Sequence, residues 1–83
     1  MRVLYFAWVR ERIGTSEEVV DPPAGVETVA DLIGWLAGRS DGHGLALAAP
    51  DRLRAALDQA FVPLDTPLGD ASEVAIFPPV TGG

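Results

Sequence analysis

Glu73-Val74-Ala75-Ile76-Phe77-Pro78-Pro79-Val80-Thr81-Gly82-Gly83 is the stretch around which the rest of the chain is organised. Its first half, Val74 to Phe77, is a compact apolar run bounded by turn residues and too short for a helix, so it reads as a buried strand. Pro78 and Pro79 end that strand. Neither has an N–H to give to a ladder and each fixes φ at about −65°, so the chain leaves the sheet as a stiff extended segment. Beyond them the residues shrink to two glycines, which pass where a Cβ would clash. Five extended residues from Pro79 to Gly83 reach at most roughly 17 Å, enough to carry a terminal carboxylate into another protein's pocket. Frayed termini are more often polar and rich in Ser, Lys or Glu. This tail has no charged side chain, so residues 78–83 read as a protruding functional tail on a single domain spanning 1–83.

The other end of the chain supplies the partner strand. Val3-Leu4-Tyr5-Phe6-Ala7-Trp8-Val9 is apolar throughout, which predicts a central strand covered on both faces. Arg10 to Gly14 reads as one helical turn closed by glycine. Glu17-Glu18-Val19-Val20 reads as a short second strand, stopped by Asp21-Pro22-Pro23-Ala24-Gly25 and joined to the first by a compact hairpin turn. Thr28 is an N-cap with Asp31 three residues on, and Val29, Leu32, Ile33 and Leu36 form the core stripe of a helix ending near Gly38. Trp35 lies off that stripe and completes the packing edge. Arg39 to Gly44 reads as a polar, glycine-rich loop, and Leu45 to Ala49 as a helical turn stopped by Pro50. Leu53, Ala55 and Leu57 alternate with Arg54 and Ala56, and with Asp58-Gln59 and Ala60-Phe61-Val62 they predict a hairpin. The whole is α+β: a mixed sheet of about four to five strands, the first and last side by side at its centre, with one main helix across one face. That is a β-grasp arrangement.

Composition narrows the chemistry. The chain has 83 residues, 48% of them hydrophobic, and no apolar run approaches the roughly 18–20 residues of a membrane helix. The opening run lacks a signal-peptide pattern, and a cytoplasmic location is expected. A formal net charge of −6, with arginine as the one basic residue type present, argues against nucleic acid and favours basic partner surfaces. There is no cysteine and no lysine, hence no thiol or amine nucleophile. His43 is the sole histidine; between two glycines it reads as a surface-loop residue whose replacement by alanine is nearly silent. One histidine with scattered carboxylates is no metal cluster, and Glu17, Glu18, Asp70 and Glu73 read as solvated strand ends. The Gly42/Gly44 loop lacks the Lys and Ser/Thr of a P-loop. What remains is the carboxylate of Gly83. Transferred to the AMP of ATP it becomes an acyl adenylate, which sulfur can attack to leave a thiocarboxylate.

Two blocks carry a resemblance: the Phe6-Ala7-x-Val9-Arg10-Glu11-x-x-Gly14 core, and Asp70 to Gly83 with its Phe77-Pro78-Pro79-Val80-Thr81-Gly82-Gly83 ending. They resemble the MoaD-like family of small, sulfur-carrying molybdopterin synthase subunits. The resemblance implies a ubiquitin-like β-grasp fold in which Gly83 is adenylated by a MoeB-like activating enzyme using ATP, then converted to a thiocarboxylate by a sulfur donor. It further implies that Pro79, Val80, Thr81 and Gly82 insert into a large subunit holding cyclic pyranopterin monophosphate. Two successive carriers deliver the two sulfurs of the dithiolene there, within a heterotetramer of two small and two large subunits. No metal or cofactor is implied on this chain itself. A sheet face not covered by its own helix is normally buried by a partner, so Phe77 with Pro78, and Phe61 beside them, are expected at the large-subunit interface. Two other readings share the Gly-Gly ending: a sulfur carrier for thiamine synthesis, usually shorter and without Phe-Pro-Pro, and a ubiquitin-like modifier joined to target lysines. Trp8 and Gly42-His43-Gly44 match no family feature.

Overall fold

A computed structural model describes residues 1–79. Its elements run β1 (Arg2–Tyr5), α1 (Ala7–Ile13), β2 (Glu17–Val19), α2 (Val29–Ala37), α3 (Asp41–Ala46), a 3₁₀ turn (Pro50–Arg52), β3 (Arg54–Leu57), β4 (Ala60–Val62) and β5 (Glu73–Phe77). The sheet order is β2-β1-β5-β3-β4. The first and last strands are neighbours, as expected, and they run parallel with Val3 opposite Val74 and Tyr5 opposite Ile76. The other three pairings are antiparallel, so β5 is the central strand of a mixed α+β sheet.

Strand alternation divides the sheet into two unlike faces. Val3, Tyr5, Val74, Ile76 and Ala55 point to one side and are buried against Val9 of α1, the Val29, Leu32, Ile33 and Leu36 stripe of α2, and Ala46 of α3. The main helix α2 is joined on this face by the shorter α1 and α3. The capping box at Thr28 is present in both directions: Thr28 Oγ1 accepts from the Asp31 N–H at 3.1 Å, and Asp31 Oδ2 accepts from the Thr28 N–H at 3.2 Å. On the other face Leu4, Ala75, Ala56 and Phe61 form one row across four strands, with Phe77 opposite Arg54 in the next. No helix lies there among the described residues. The expectation that the first strand is covered on both faces is therefore corrected: the domain has enough helix for one side only.

Three further corrections concern α1, α3 and the β1–β2 connection. The apolar run Val3 to Val9 does not stay extended, because Ala7 takes φ +53° and turns the chain from β1 into a two-turn helix. A β-carbon makes that left-handed conformation unfavourable, so nothing in the residue type announces the turn. Gly14 does close the helix, at φ +96°. β1 and β2 pair as a hairpin would, but a helix and not a compact turn joins them. Finally, Asp41 to Ala46 is a helix capped by Ser40 and not a loop. Gly42 is needed there for packing, since a Cβ would lie 2.4 Å from the carbonyl oxygen of Arg12 at the end of α1.

His43 is the corrected residue with the most consequence. It is only 8% exposed, with Nε2 2.6 Å from Glu18 Oε2 and Nδ1 2.6 Å from Ser40 Oγ. A carboxylate can only accept, so Nε2 donates. Glu18 also accepts from the Tyr5 hydroxyl at 2.8 Å and pairs with Arg39 at 3.2 Å. It is a tie between β2, β1, α3 and the α2–α3 turn, not a solvated strand end. Burial alone would push the Glu18 carboxyl up, but hydrogen bonds from His43 and Tyr5, together with the charge of Arg39, outweigh it and hold the group below the ordinary carboxylate range. A depressed folded pKa stabilises the fold above the unfolded value of about 4.3, and that contribution disappears as pH falls through the folded value. Glu18→Gln is therefore expected to lower the melting temperature at pH 7 and to flatten its decline between neutral and acid pH. His43→Ala, which strips Glu18 of a partner, is expected to cost on the order of 1–3 kcal/mol. Parallel pH curves for wild type and Glu18→Gln would contradict this.

Candidate functional site at the root of the tail

β5 delivers the chain to the site. Its entry is fixed by Asp58, whose carboxylate accepts from the N–H groups of Ser72 and Glu73 at 3.0 Å each. Asp58 and Gln59 both have positive φ, +46° and +74°, the signature of the tight hairpin turn that the sequence predicts between β3 and β4. Arg2 pairs with Glu73 and locks the start of β5 to β1. Four residues later the strand stops at Phe77, where Pro78 and Pro79 carry the chain away from the sheet. Pro79 is the last described residue. The expected insertion residues Val80, Thr81 and Gly82, and Gly83 with them, lie outside the described residues.

Phe77 and Phe61 meet on the open sheet face, with ring centroids 5.5 Å apart. Phe77 is half-buried and Phe61 is 84% exposed. Together with Leu4, Phe6, Ala75 and Pro78 they line a shallow groove of about 660 Å³ ending at Pro79. Removing apolar surface from water contributes roughly 25 cal/mol per Å², so an exposed Phe61 tilted against a half-buried Phe77 marks a surface built to be covered. The structure thus brings Phe61, Phe77 and Pro78 together. It adds Leu4 and Phe6, which sequence reading had placed inside a two-sided strand. Their signal is the i, i+2 spacing, which puts both on the face opposite Val3 and Tyr5.

Pro78 and Pro79 also form one wall of a second recess, of about 570 Å³, on the helix side. Trp8 and Arg12 of α1 line it, with Leu45 and Arg52 beyond them. The Arg12 guanidinium lies 4.5 Å from the centre of the Trp8 ring. The tail root is therefore a ridge between an apolar groove and a mixed cleft. Among the described residues no group of three His, Asp or Glu is placed to hold a metal ion, and no helix is long and apolar enough to cross a membrane.

The sequence profile of the ThiS family matches residues 3–83. The chain is 46% identical over 83 residues to the molybdopterin synthase sulfur carrier subunit of Escherichia coli K12, covering all of this chain and 99% of that protein. It is 38% identical over 84 residues to the protein of the same name from Haemophilus influenzae, covering all of this chain and 99% of its relative. Among solved structures, the small archaeal modifier protein 1 of Haloferax volcanii superimposes with a TM-score of 0.73 at 27% identity, over 96% of this chain and 97% of that one.

Proposed function

The chain belongs to the ThiS family, and from that premise we propose that it is the sulfur carrier subunit of a molybdopterin synthase, working through the C-terminal carboxylate of Gly83. The observation that carries this reading is the joint one of full-length similarity to two sulfur carrier subunits and a central strand that runs directly into Pro78-Pro79 beside an uncovered aromatic face. A carrier needs a rigid base and a slender tip. β5, bonded on both edges, is that base.

The chemistry is proposed as follows. The Gly83 carboxylate attacks the α-phosphate of ATP on a MoeB-like adenylating enzyme, and pyrophosphate leaves. Sulfide-level sulfur from a donor then attacks the acyl carbon, the bond to AMP breaks, and AMP leaves behind the thiocarboxylate. The tail, Pro79 to Gly82, enters the large subunit and presents that sulfur to cyclic pyranopterin monophosphate; two carriers in turn complete the dithiolene, and water returns each Gly83 to a carboxylate. The assembly is a heterotetramer working in the cytoplasm. This chain contributes no cofactor of its own, and ATP is consumed by its activating partner.

A second reading rests on the fold match to a protein named as a modifier: a target lysine amine attacks the acyl carbon of the same adenylate, AMP leaves, and an isopeptide bond forms. Mass spectrometry of the terminus decides between them. Incubation with adenylating enzyme, Mg–ATP and a sulfur source is expected to exchange one oxygen of Gly83 for sulfur. A mass change mapped to an internal residue contradicts the proposal, and lysine conjugates without thiocarboxylate favour the modifier.

A further inference from the structure

We propose that Trp8 is a positioning residue for sulfur transfer, which together with Phe6 brackets Pro78-Pro79 and sets the direction in which the tail leaves the sheet. The inference rests on the sulfur-carrier reading and deepens it. Its starting point is a backbone outlier. Among the described residues Ala7, Asp58 and Gln59 have positive φ without being glycine, and the last two form the β3–β4 hairpin turn. Ala7 has no side-chain oxygen to bond its own backbone, so it has no local reason to be left-handed. Strain of this kind persists only where the surrounding structure holds it, and it gathers at functional sites. Here it acts on the two neighbouring aromatic residues. Were β1 to run on, Phe6 and Trp8 would share a face, two residues apart. The turn at Ala7 separates them. Phe6 stays on the open face, 45% exposed and lining the apolar groove. Trp8 goes to the helix side, half-buried against the core and lining the recess there. Pro78 and Pro79 line both hollows, so one aromatic ring stands on each side of the tail root.

Backbone hydrogen bonds do not aim this segment. β1 and β5 are parallel and leave the sheet at the same end, with Tyr5 opposite Ile76 and the Phe6 N–H donating to the Ile76 carbonyl at 3.3 Å. Pro78 and Pro79 have no N–H with which to continue that ladder, so confinement by side chains is left to direct them. The Arg12 guanidinium, 4.5 Å from the centre of the Trp8 ring, holds the ring in turn. Direction matters because the prolines are stiff. The four residues beyond Pro79 span at most about 14 Å, so a tilt of about 10° at the root moves the end of such a lever by about 2 Å. A misplacement of about 1 Å at a reacting group already costs on the order of a hundredfold in rate.

The test uses thiocarboxylate-loaded wild type, Trp8→Ala, Trp8→Phe, Pro78→Gly/Pro79→Gly, and Trp8→Ala combined with both glycines. For each, the Kd for the large subunit is measured, and then the single-turnover rate of sulfur transfer to cyclic pyranopterin monophosphate with the large subunit saturating. Trp8→Ala is expected to slow transfer at least about tenfold. Its Kd is expected to stay within about threefold of wild type, because Phe61 and Phe77 in the groove are untouched. Trp8→Phe keeps a ring beside the prolines and is expected to transfer within about threefold of wild type. The two glycines free the root by themselves, so they are expected to slow transfer as Trp8→Ala does. Adding Trp8→Ala to them is then expected to change the rate by less than about twofold, since both act on one property. Trp8 also packs on the core, so thermal melts accompany each variant, and Trp8→Leu replaces Trp8→Ala, with the same expected direction, if the latter does not melt cooperatively. An unchanged transfer rate, a loss confined to Kd, or losses that multiply in the glycine background each overturn this assignment while leaving the carrier reading intact. Loaded wild type that transfers no sulfur overturns the carrier reading itself, and this inference with it.

Discussion

Adding one residue after Gly83, or deleting Gly83, is expected to reduce sulfur transfer to background while leaving the melting temperature where it was. The size of the effect follows from where the reacting atom sits. If the carboxylate of Gly83 is the group that is adenylated, an extra residue moves it by about 3.5 Å, and misplacing a reacting group by about 1 Å already costs on the order of a hundredfold in rate. Deletion withdraws it by the same distance. The stability half of the prediction follows from the core, whose last buried residue among those described is Ile76. The strand register is complete by Phe77. An extended variant that unfolds would make the tail structural, and one that still transfers sulfur would put the reactive atom elsewhere.

The second large effect is expected at the open sheet face. Phe61→Ala/Phe77→Ala should weaken binding to the large subunit by on the order of 2 kcal/mol or more, about thirtyfold in Kd, the range of central aromatic anchors. Phe61 is the clean half of the pair: at 84% exposure its removal empties no cavity in the domain. Phe77 is half-buried, so the single Phe77→Ala variant separates two roles. Lost affinity with a kept melting temperature makes it an interface residue. Kept affinity with a lowered melting temperature makes it internal core, and the interface assignment then fails.

The residues that were legible in the sequence are those whose type states a local rule. Thr28 and Asp31 announced α2 because a side-chain oxygen three residues from a backbone donor closes a capping box. Val74 to Phe77, stopped by two prolines, announced β5, and Asp58-Gln59 between alternating residues announced the β3–β4 hairpin. The misreadings lie where tertiary contact overrides composition. Ala7 adopts a conformation associated with glycine, so an unbroken apolar run concealed a strand-to-helix turn. Gly42 and Gly44 looked like loop residues, yet they sit in a helix, and Gly42 is small because Arg12's backbone is against it. His43 looked solvated for the same reason; its partner Glu18 is 25 residues away in sequence, a pairing no local pattern reports. The site was legible at Phe77 and Pro78 because they adjoin the strand end. Leu4 and Phe6 needed the strand register, and Arg12 with Arg52 needed the fold.

The central claim, sulfur carriage to a pterin, is tested most directly by reconstitution. Thiocarboxylated protein is mixed with a molybdopterin synthase large subunit and cyclic pyranopterin monophosphate, and both the pterin product and the Gly83 terminus are followed by mass spectrometry. The expected result is molybdopterin, with Gly83 returned to a carboxylate. An inert mixture, from the same thiocarboxylated preparation that supports thiazole formation with the thiamine enzymes, would contradict it.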